Sequence, residues 1–350
     1  MYSDVISQLP IAEVLEQLKR CMSEGNEVVL QAPPGAGKTT IVPLELLDQP
    51  WLQGRKILVL EPRRMAARAA ASRMAQLLGD AVGQTVGYRI RMDTCVSDNT
   101  RIEVITEGIL TQQLQRDPGL EDVGLVIFDE FHERNLDADL CLALALHGRE
   151  VFREGPALKL LVMSATLAGE EVSKLLGNAP IVTSSGRQFP VETHYCEAHQ
   201  LRHSIVQPTI NVVLRALKKQ AGSILVFLPG QREISSVARG LADALEYSAE
   251  PLQISPLYGG LSLERQLQAL LPAPDGKRKI VLSTNLAETS LTIEGITVVV
   301  DSGLVREAAF DPATGMTRLA TRRISRASAE QRKGRAGRQG PGRCYRLWSE

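Results

Sequence analysis

The sequence predicts an α/β protein made of two parallel-sheet domains in tandem. The chain has 350 residues, which is long for one domain and suits two of middling size. Short apolar runs rich in Val, Ile and Leu alternate with helix-like stretches, a pattern typical of parallel sheets with crossover helices. The alternation breaks once, near residues 185–205, and then resumes. We therefore expect one domain at 1–190 and a second at 191–350.

The predicted elements follow one another in a regular order. The strands of the first half read EVVL, KILVLE, IEVIT, LVIFDE and LKLLVMS. The helices RMAARAAASRMAQLL and GILTQQLQ follow the second and third of these strands. A less regular region, GNAPIVTSSGRQFPVETHY, precedes the strands of the second half, SILVFLPG, KIVLST and ITVVVDS. Because ligands of open α/β sheets bind at the carboxyl ends of strands, the loops after these strands are the expected sites of chemistry.

Composition and charge exclude several classes of protein. Hydrophobic residues make up 44% and charged residues 23%, as in soluble globular proteins. No apolar run reaches the roughly 18 residues of a membrane span, and the acid-containing N-terminus is unlike a signal peptide, which predicts a cytoplasmic protein. The net charge is zero, which argues against a simple basic wrapper for nucleic acid. The segment from Arg318 to Arg346 nevertheless contains ten basic residues and one acid, Glu330.

The cysteines and histidines do not predict a metal site. The five cysteines are far apart and form no C-x-x-C pair, so we expect free buried thiols. His199 and His203 share a helical face, but no acid or cysteine completes a known ligand spacing. We expect no zinc.

A phosphate-binding loop follows the first predicted strand. It is close to the pattern G-x-x-x-x-G-K-[ST], with Ala32 in place of the first glycine. Gly35 and Gly37 leave backbone N–H groups open to a phosphate at a helix N-terminus. Lys38 is placed to reach the β- and γ-phosphates of ATP, and the Thr39 hydroxyl to bind Mg²⁺. The predicted nucleotide-binding residues of this loop are Pro34, Gly35, Ala36, Gly37, Lys38, Thr39 and Thr40.

An apolar strand that ends in acids supplies the other part of the predicted ATP site. Phe128 is followed by Asp129 and Glu130, 91 residues after Lys38 (129 minus 38), a separation that leaves room for intervening β-α units. We expect Asp129 to hold Mg²⁺ or its water, and Glu130 to orient and deprotonate the attacking water. Thr39, Asp129 and Glu130 form the predicted metal group.

The string Asp129-Glu130-Phe131-His132, followed by Glu133-Arg134, resembles the DEAH-box (DEAH/RHA) ATP-dependent RNA helicases, and among them the bacterial HrpB-like branch. The resemblance implies two RecA-like P-loop NTPase domains, with ATP in the cleft between them and single-stranded RNA across the top. Phe131 replaces the usual Ala of the motif, so we expect altered packing and unaltered chemistry. The family has winged-helix and other domains after the second RecA-like domain, whereas this chain stops twelve residues beyond Arg338. We expect a truncated, monomeric motor with those accessory domains missing.

The resemblance also implies roles for further residues. Those matched to RNA-contacting motifs of the family are Arg63, Arg64, Thr106, Glu107, Thr284 and Thr289. Ser164 and Thr166 match a motif that links the ATP and RNA sites, while Thr292 and Glu294 match nucleotide-facing positions. Arg73 is the matching candidate for stacking on the base. Such stacking is blind to the base, and no string resembles an adenine-reading Q motif, so we expect NTPs other than ATP to be tolerated.

The string Gln331-Arg332-Lys333-Gly334-Arg335-Ala336-Gly337-Arg338 resembles the sixth helicase motif. Arg335 and Arg338 are three residues apart and so share one face of a helix or turn. By resemblance they are arginine fingers that stabilise charge on the γ-phosphate. The complete predicted catalytic set is Lys38, Glu130, His132, Gln331, Arg335 and Arg338.

Three alternatives remain to be weighed against an RNA helicase. A DNA-directed helicase would carry the same backbone-contacting motifs, because none of them tests for a 2′-OH. A non-hydrolysing, nucleotide-gated RNA clamp would require a broken catalytic residue, and none is found. A P-loop ATPase that acts on protein leaves the Arg63-Arg64 pair and the Thr-Glu-Gly string at 106–108 without a purpose.

Overall fold

The structure is a computed structural model that describes residues 6–7, 9–33, 35–133, 135–165, 169–186, 189–196, 204–246, 251–273, 277–288 and 293–350. The chain divides into two compact units, Met1–Arg187 and Gln188–Glu350. The predicted domain boundary between residues 190 and 191 lies close to this division. No helix in the described ranges is long and apolar enough to cross a membrane.

The first unit is built on a mostly parallel sheet. Its strands are β1 (Glu27–Gln31), β2 (Lys56–Leu60), β3 (Val86–Ile90), β4 (Asp93–Cys95), β5 (Ile102–Ile105), β6 (Val123–Phe128), β7 (Lys159–Ser164) and β8 (Ile181–Thr183). Their spatial order is β4-β3-β5-β2-β6-β7-β1-β8, and β3 with β4 is the antiparallel pair. The five strands predicted for this half are confirmed. The carboxyl ends of β1, β2, β6 and β7 meet at one edge, since Gln31 pairs with Ser164 and Leu60 with Phe128.

Helices cover both faces of this sheet. They are α1 (Leu15–Glu24), α2 (Lys38–Leu46), α3 (Arg64–Leu78), α4 (Glu107–Arg116), α5 (Leu136–Val151) and α6 (Gly169–Leu175). The first three pack their apolar residues on one face, and the last three pack on the other. Because both faces are buried, β6 is apolar at nearly every position and shows no alternation.

The second unit repeats the architecture. Its parallel sheet has the strands β9 (Val191–Tyr195), β10 (Ser223–Phe227), β11 (Leu252–Leu257), β12 (Arg278–Ser283), β13 (Ile296–Asp301) and β16 (Gly342–Arg346). Their order is β11-β12-β10-β13-β16-β9. The helices are α7 (Val206–Lys219), α8 (Gln231–Leu245), α9 (Leu263–Leu270) and α10 (Arg326–Gly334). The predicted fold class, α/β with two parallel-sheet domains, is confirmed.

Several strands have no signal in the sequence. The region that we interpreted as irregular contains β8, which pairs with β1 at the edge of the first sheet, and β9, which pairs with β16 at the edge of the second. A further antiparallel hairpin joins β14 (Leu304–Asp311) to β15 (Met316–Arg323), and most of β15 is exposed. Short edge strands and exposed hairpins lack the buried apolar runs by which the other strands are recognised.

The expectation of buried thiols is right for only two cysteines. All five are free, but Cys21, Cys95 and Cys196 are partly exposed and only Cys141 and Cys344 are buried. Cys95 lies on the edge strand β4, and Cys196 follows the edge strand β9. Edge positions are open to solvent on one side, which spacing alone does not reveal.

Candidate functional site

The phosphate-binding loop connects β1 to α2, as predicted. The Ala32 N–H donates to the carbonyl of Ser164 at 3.0 Å, which fixes the start of the loop to the end of β7. Ala32 is buried and lies outside the left-handed region of the backbone. A glycine is therefore not required at this position. Gly35 and Gly37 do have positive φ angles, of 83° and 96°, and α2 begins at Lys38.

Gly37 is required by two separate constraints. Its φ of 96° is rarely adopted by other residues, and a Cβ there would lie 2.9 Å from Leu9 Cδ1 and 3.3 Å from Ile11 Cγ2. Gly79, at the end of α3, has a φ of 74° but no atom within 4 Å of its Cβ position. Substitution of Gly79 therefore tests backbone strain alone, whereas substitution of Gly37 tests strain together with steric crowding.

We expect Gly37→Ala to lower the free energy of unfolding by more than Gly79→Ala, whose strain alone costs about 1–2 kcal/mol. Gly37→Ala should also weaken nucleotide binding, because a Cβ strains the left-handed backbone at residue 37 and displaces the Leu9 side chain. Urea unfolding and a fluorescence titration with nucleotide measure both effects. Equal stability losses with unchanged affinity would contradict this account of the loop.

Two of the predicted metal residues, Thr39 and Asp129, meet beyond the carboxyl ends of β1 and β6. The Thr39 hydroxyl donates to Asp129 Oδ2 at 2.5 Å, and the Asp129 N–H donates to the carbonyl of Leu60 at 3.0 Å. A hydroxyl and a carboxylate are hard oxygen ligands, which fits Mg²⁺. Within the described ranges, no group of three or more His, Cys, Asp and Glu side chains could hold a metal ion.

Lys38 and Glu130 form a buried ion pair beside this group. Lys38 Nζ lies 3.2 Å from Glu130 Oε1, and both side chains are less than 5% exposed. Burial acts to lower the pKa of Lys38, but the carboxylates of Glu130 and Asp129 outweigh it, so the pKa lies above its ordinary value. Burial also raises the pKa of Asp129 to about 6, against the opposing charge of Lys38. A bound phosphate or cation would replace the contacts that these groups now make with one another.

His132 links the acidic loop to the end of β7. Its Nε2 lies 3.3 Å from Glu130 Oε2, and its Nδ1 accepts a hydrogen bond from the Ala165 N–H at 3.2 Å. Burial lowers the pKa of His132, which favours the neutral ring that this acceptor role requires. Ser164, one of the two predicted coupling residues, is buried immediately before Ala165. The other, Thr166, lies outside the described residues.

Two further features of the acidic loop bear on its rigidity. Glu130 has a φ of 50°, a left-handed conformation that is uncommon for a residue with a long side chain. Phe131 is buried and packs edge-on against Phe128, with ring centroids 6.1 Å apart. Phe131 thus packs inside the first unit. That Phe in place of the usual Ala leaves the chemistry unaltered stays a prediction.

The residues matched to RNA-contacting motifs of the first unit differ in exposure. Arg64 is exposed, whereas Arg63 Nη2 lies 3.3 Å from Glu133 Oε2. Thr106 is buried at the start of α4. Glu107 is also buried and accepts a hydrogen bond from Asn135 Nδ2 at 2.9 Å, and burial raises its pKa. An RNA contact at residue 107 would therefore have to come from its main chain.

The remaining predicted residues are distributed over loops and helix ends. Thr284 caps the turn that follows β12, where its Oγ1 accepts from the Leu286 N–H at 3.4 Å. Glu294 and Arg73 are exposed, and Arg73 donates to Gln76 Oε1 at 2.8 Å. Gln331 and Arg338 are partly exposed, and Arg335 is buried. Pro34, Thr289 and Thr292 lie outside the described residues, as do His199 and His203.

Sequence reasoning missed a buried cluster in the second unit. Arg332 is 1% exposed and pairs with both Glu288 and Asp301. Asp301 ends the apolar strand β13, and Asp129 directly follows the apolar strand β6. An acid at the end of an apolar strand was therefore the sequence signal that could have identified Asp301. The pairing itself joins residues 31 positions apart and has no local signature.

Two family models and a curated relative match this chain. The model of the DEAD/DEAH box helicase family matches residues 12–175, and that of the helicase conserved C-terminal domain matches residues 208–340. The chain is 52% identical over 339 residues to the ATP-dependent RNA helicase HrpB of Escherichia coli (strain K12). The aligned region covers 96% of this chain and 41% of that protein.

Two solved structures are also similar. The crystal structure of Escherichia coli DEAH/RHA helicase HrpB matches with a TM-score of 0.90 and 50% identity, over 98% of this chain and 43% of that one. A structure of the E. coli DExH-box NTPase HrpB matches with a TM-score of 0.84 and 50% identity, over 98% of this chain and 42% of that one. The chain thus spans about two-fifths of the length of the relatives it matches.

Proposed function

Because this chain belongs to the DEAD/DEAH box helicase family, we propose that it is the motor of an ATP-dependent RNA helicase. It couples hydrolysis of ATP, with Mg²⁺, to binding and movement along single-stranded RNA. The observation that carries the proposal is the contact of Thr39 with Asp129 and of Lys38 with Glu130, beyond the carboxyl ends of β1 and β6, which β7 separates in the sheet. This is the arrangement that a metal-assisted hydrolysis of a phosphate anhydride requires.

Each group of the first unit has a distinct role in this proposal. Thr39 and Asp129 would hold Mg²⁺, which supplies positive charge to the β- and γ-phosphates. Lys38 leaves Glu130 for the γ-phosphate when ATP binds, because the phosphate carries more charge than one carboxylate. Glu130 is then free to take a proton from the attacking water. His132 holds the Glu130 carboxylate in position from the opposite side and ties it to Ala165.

The second unit supplies positive charge to the same reaction. Arg335 and Arg338 act as arginine fingers that stabilise the charge developing on the transferred phosphoryl group, with Gln331 beside them. Thr292 and Glu294 face the nucleotide. Arg73 stacks on its base and tolerates NTPs other than ATP, because stacking does not read hydrogen-bonding groups.

The RNA contacts are to the sugar-phosphate backbone. Arg63 and Arg64 of the first unit and Thr284 and Thr289 of the second grip phosphates without reading sequence. A polar hydroxyl or guanidinium suits this role, and the main chain at Thr106 and Glu107 adds N–H donors at the start of α4. A preference for RNA over DNA would require contacts to the 2′-OH.

Steady-state phosphate release by the chain, without nucleic acid and with RNA or DNA homopolymers of equal length, tests the proposal. We expect hydrolysis of ATP that RNA stimulates more strongly than DNA does. Stronger stimulation by DNA would favour the DNA-directed helicase instead. Tight nucleotide binding without hydrolysis under any condition would favour the nucleotide-gated RNA clamp.

A further inference from the structure

Arg332 lies in a buried network of charges beside the predicted arginine fingers. Its Nε donates to Glu288 Oε2 at 2.8 Å, and its Nη1 donates to Asp301 Oδ1 at 2.9 Å. Nη1 also lies 3.2 Å from the carbonyl of Leu304, and the guanidinium lies over the Phe227 ring, 4.8 Å from its centroid. The network therefore ties α10 to the ends of β10 and β13 and to the turn after β12.

Stability alone is a weak reason for such a network. Removing three charged side chains from water is costly, and well-packed apolar residues of similar volume often stabilise a protein as well or better. A planar fork that bridges two carboxylates does, however, fix geometry in a way that apolar packing does not. The network therefore suits a role in holding one of its members in a fixed position.

Glu288 is the part of the network that touches Arg335. Its carboxylate is held by Arg332 and also accepts from the Ser328 hydroxyl, whose Oγ lies 2.5 Å from Oε1. Its main-chain carbonyl accepts from Arg335 Nε at 2.9 Å and also from Nη2. The side chain of Glu288 is thus clamped to α10, while its carbonyl sets the direction of the Arg335 guanidinium.

We propose that Arg332 is a positioning residue for Arg335, because it anchors Glu288 against Asp301 and so fixes the carbonyl on which Arg335 rests. The inference rests on the proposed function, in which Arg335 stabilises the transition state. The turn Asn285–Ala287, capped by Thr284, leads directly into Glu288. If RNA binding moves Thr284, the turn moves Glu288, and the Glu288 carbonyl moves the Arg335 guanidinium. RNA binding at Thr284 could stimulate hydrolysis through these contacts.

Arg332→Lys tests the proposal because it keeps the charge and loses the fork. A single ammonium cannot reproduce the bridging geometry between both carboxylates, so we expect kcat with RNA to fall by about ten- to a hundredfold. Nucleotide affinity should change little. The matched control is Arg278→Lys in the same unit, since Arg278 donates to the carbonyls of Leu217, Gln220 and Gly222 at the opposite end of β12 from Thr284. It should lose stability and keep its kcat.

A double-mutant cycle distinguishes positioning from a merely structural role. If Arg332 acts through Arg335, adding Arg332→Lys to Arg335→Ala produces no further loss of kcat. The proposal would be overturned if the fold-losses in kcat of the two single variants multiplied in the double variant. A kcat for Arg332→Lys as high as that of the Arg278→Lys control would also overturn it. A wild-type rate for Arg335→Ala alone would instead overturn the proposed function.

Ser328→Ala is a second test of the proposal that can be used if the Arg332→Lys variant does not fold. It removes one hydrogen bond to the Glu288 carboxylate from a partly exposed position and keeps both ion pairs. A severalfold fall in kcat that disappears in the Arg335→Ala background supports the positioning role. An unchanged kcat contradicts it.

Discussion

Arg335→Ala should keep nucleotide affinity within severalfold of wild type while RNA-stimulated hydrolysis falls by at least about a hundredfold, since arginine fingers contribute roughly 10³–10⁵ in rate. The reason is that Arg335 rests on the Glu288 carbonyl in this structure and, in the proposed function, engages the nucleotide only as the transition state forms. A contact made only in the transition state contributes to kcat and not to binding.

Two variants make the Arg335 experiment interpretable. Lys38→Ala removes a group that, in the proposed function, contacts phosphates in the ground state, and it should weaken both affinity and turnover. Arg343→Ala removes an arginine of the same unit whose partly exposed side chain pairs with Glu192 at 2.9 Å and should change neither. Fluorescence titration and steady-state phosphate release provide the two measurements. A near wild-type rate for Arg335→Ala would contradict the arginine-finger role of Arg335 and, with it, the proposed function.

Glu130→Gln should lower turnover by roughly 10²–10⁴, the usual contribution of a general base, and leave nucleotide binding largely intact. Gln has nearly the same shape, and its one carbonyl oxygen can still accept a hydrogen bond from Lys38, although its NH₂ group cannot accept from His132. We expect the loop to keep its overall conformation. It does not accept the proton of the attacking water at neutral pH. Single-turnover hydrolysis, measured with saturating enzyme, separates this step from product release.

The matched control for Glu130→Gln is Glu103→Gln. Glu103 is a buried carboxylate of β5 that pairs with Lys56 at 2.8 Å and Arg89 at 2.6 Å, away from the phosphate-binding loop. Its substitution should lower the free energy of unfolding without changing kcat. Turnover by Glu130→Gln close to that of this control would mean that another group activates the water.

Most of the fold was predictable because buried parallel strands are local features. A strand covered on both faces must be apolar at nearly every position, so β1, β2, β6 and β7 could be recognised from short segments. The edge strands β8 and β9 and the hairpin β14–β15 could not. Their residues are partly polar or exposed, and only pairing with a distant strand gives them their conformation.

The sequence by itself determined the chemistry of the site, because phosphate binding and hydrolysis require particular residue types at fixed local spacing. Gly37-Lys38-Thr39 at a helix start and Asp129-Glu130 at a strand end are patterns of this kind. Tertiary structure alone decided which of these groups touch: Thr39 with Asp129, Lys38 with Glu130, and His132 with Ala165. It also placed Glu107 against Asn135 and Arg332 between Glu288 and Asp301. Those contacts join residues far apart in the chain, and their distances depend on how strands and helices pack, which no local spacing encodes.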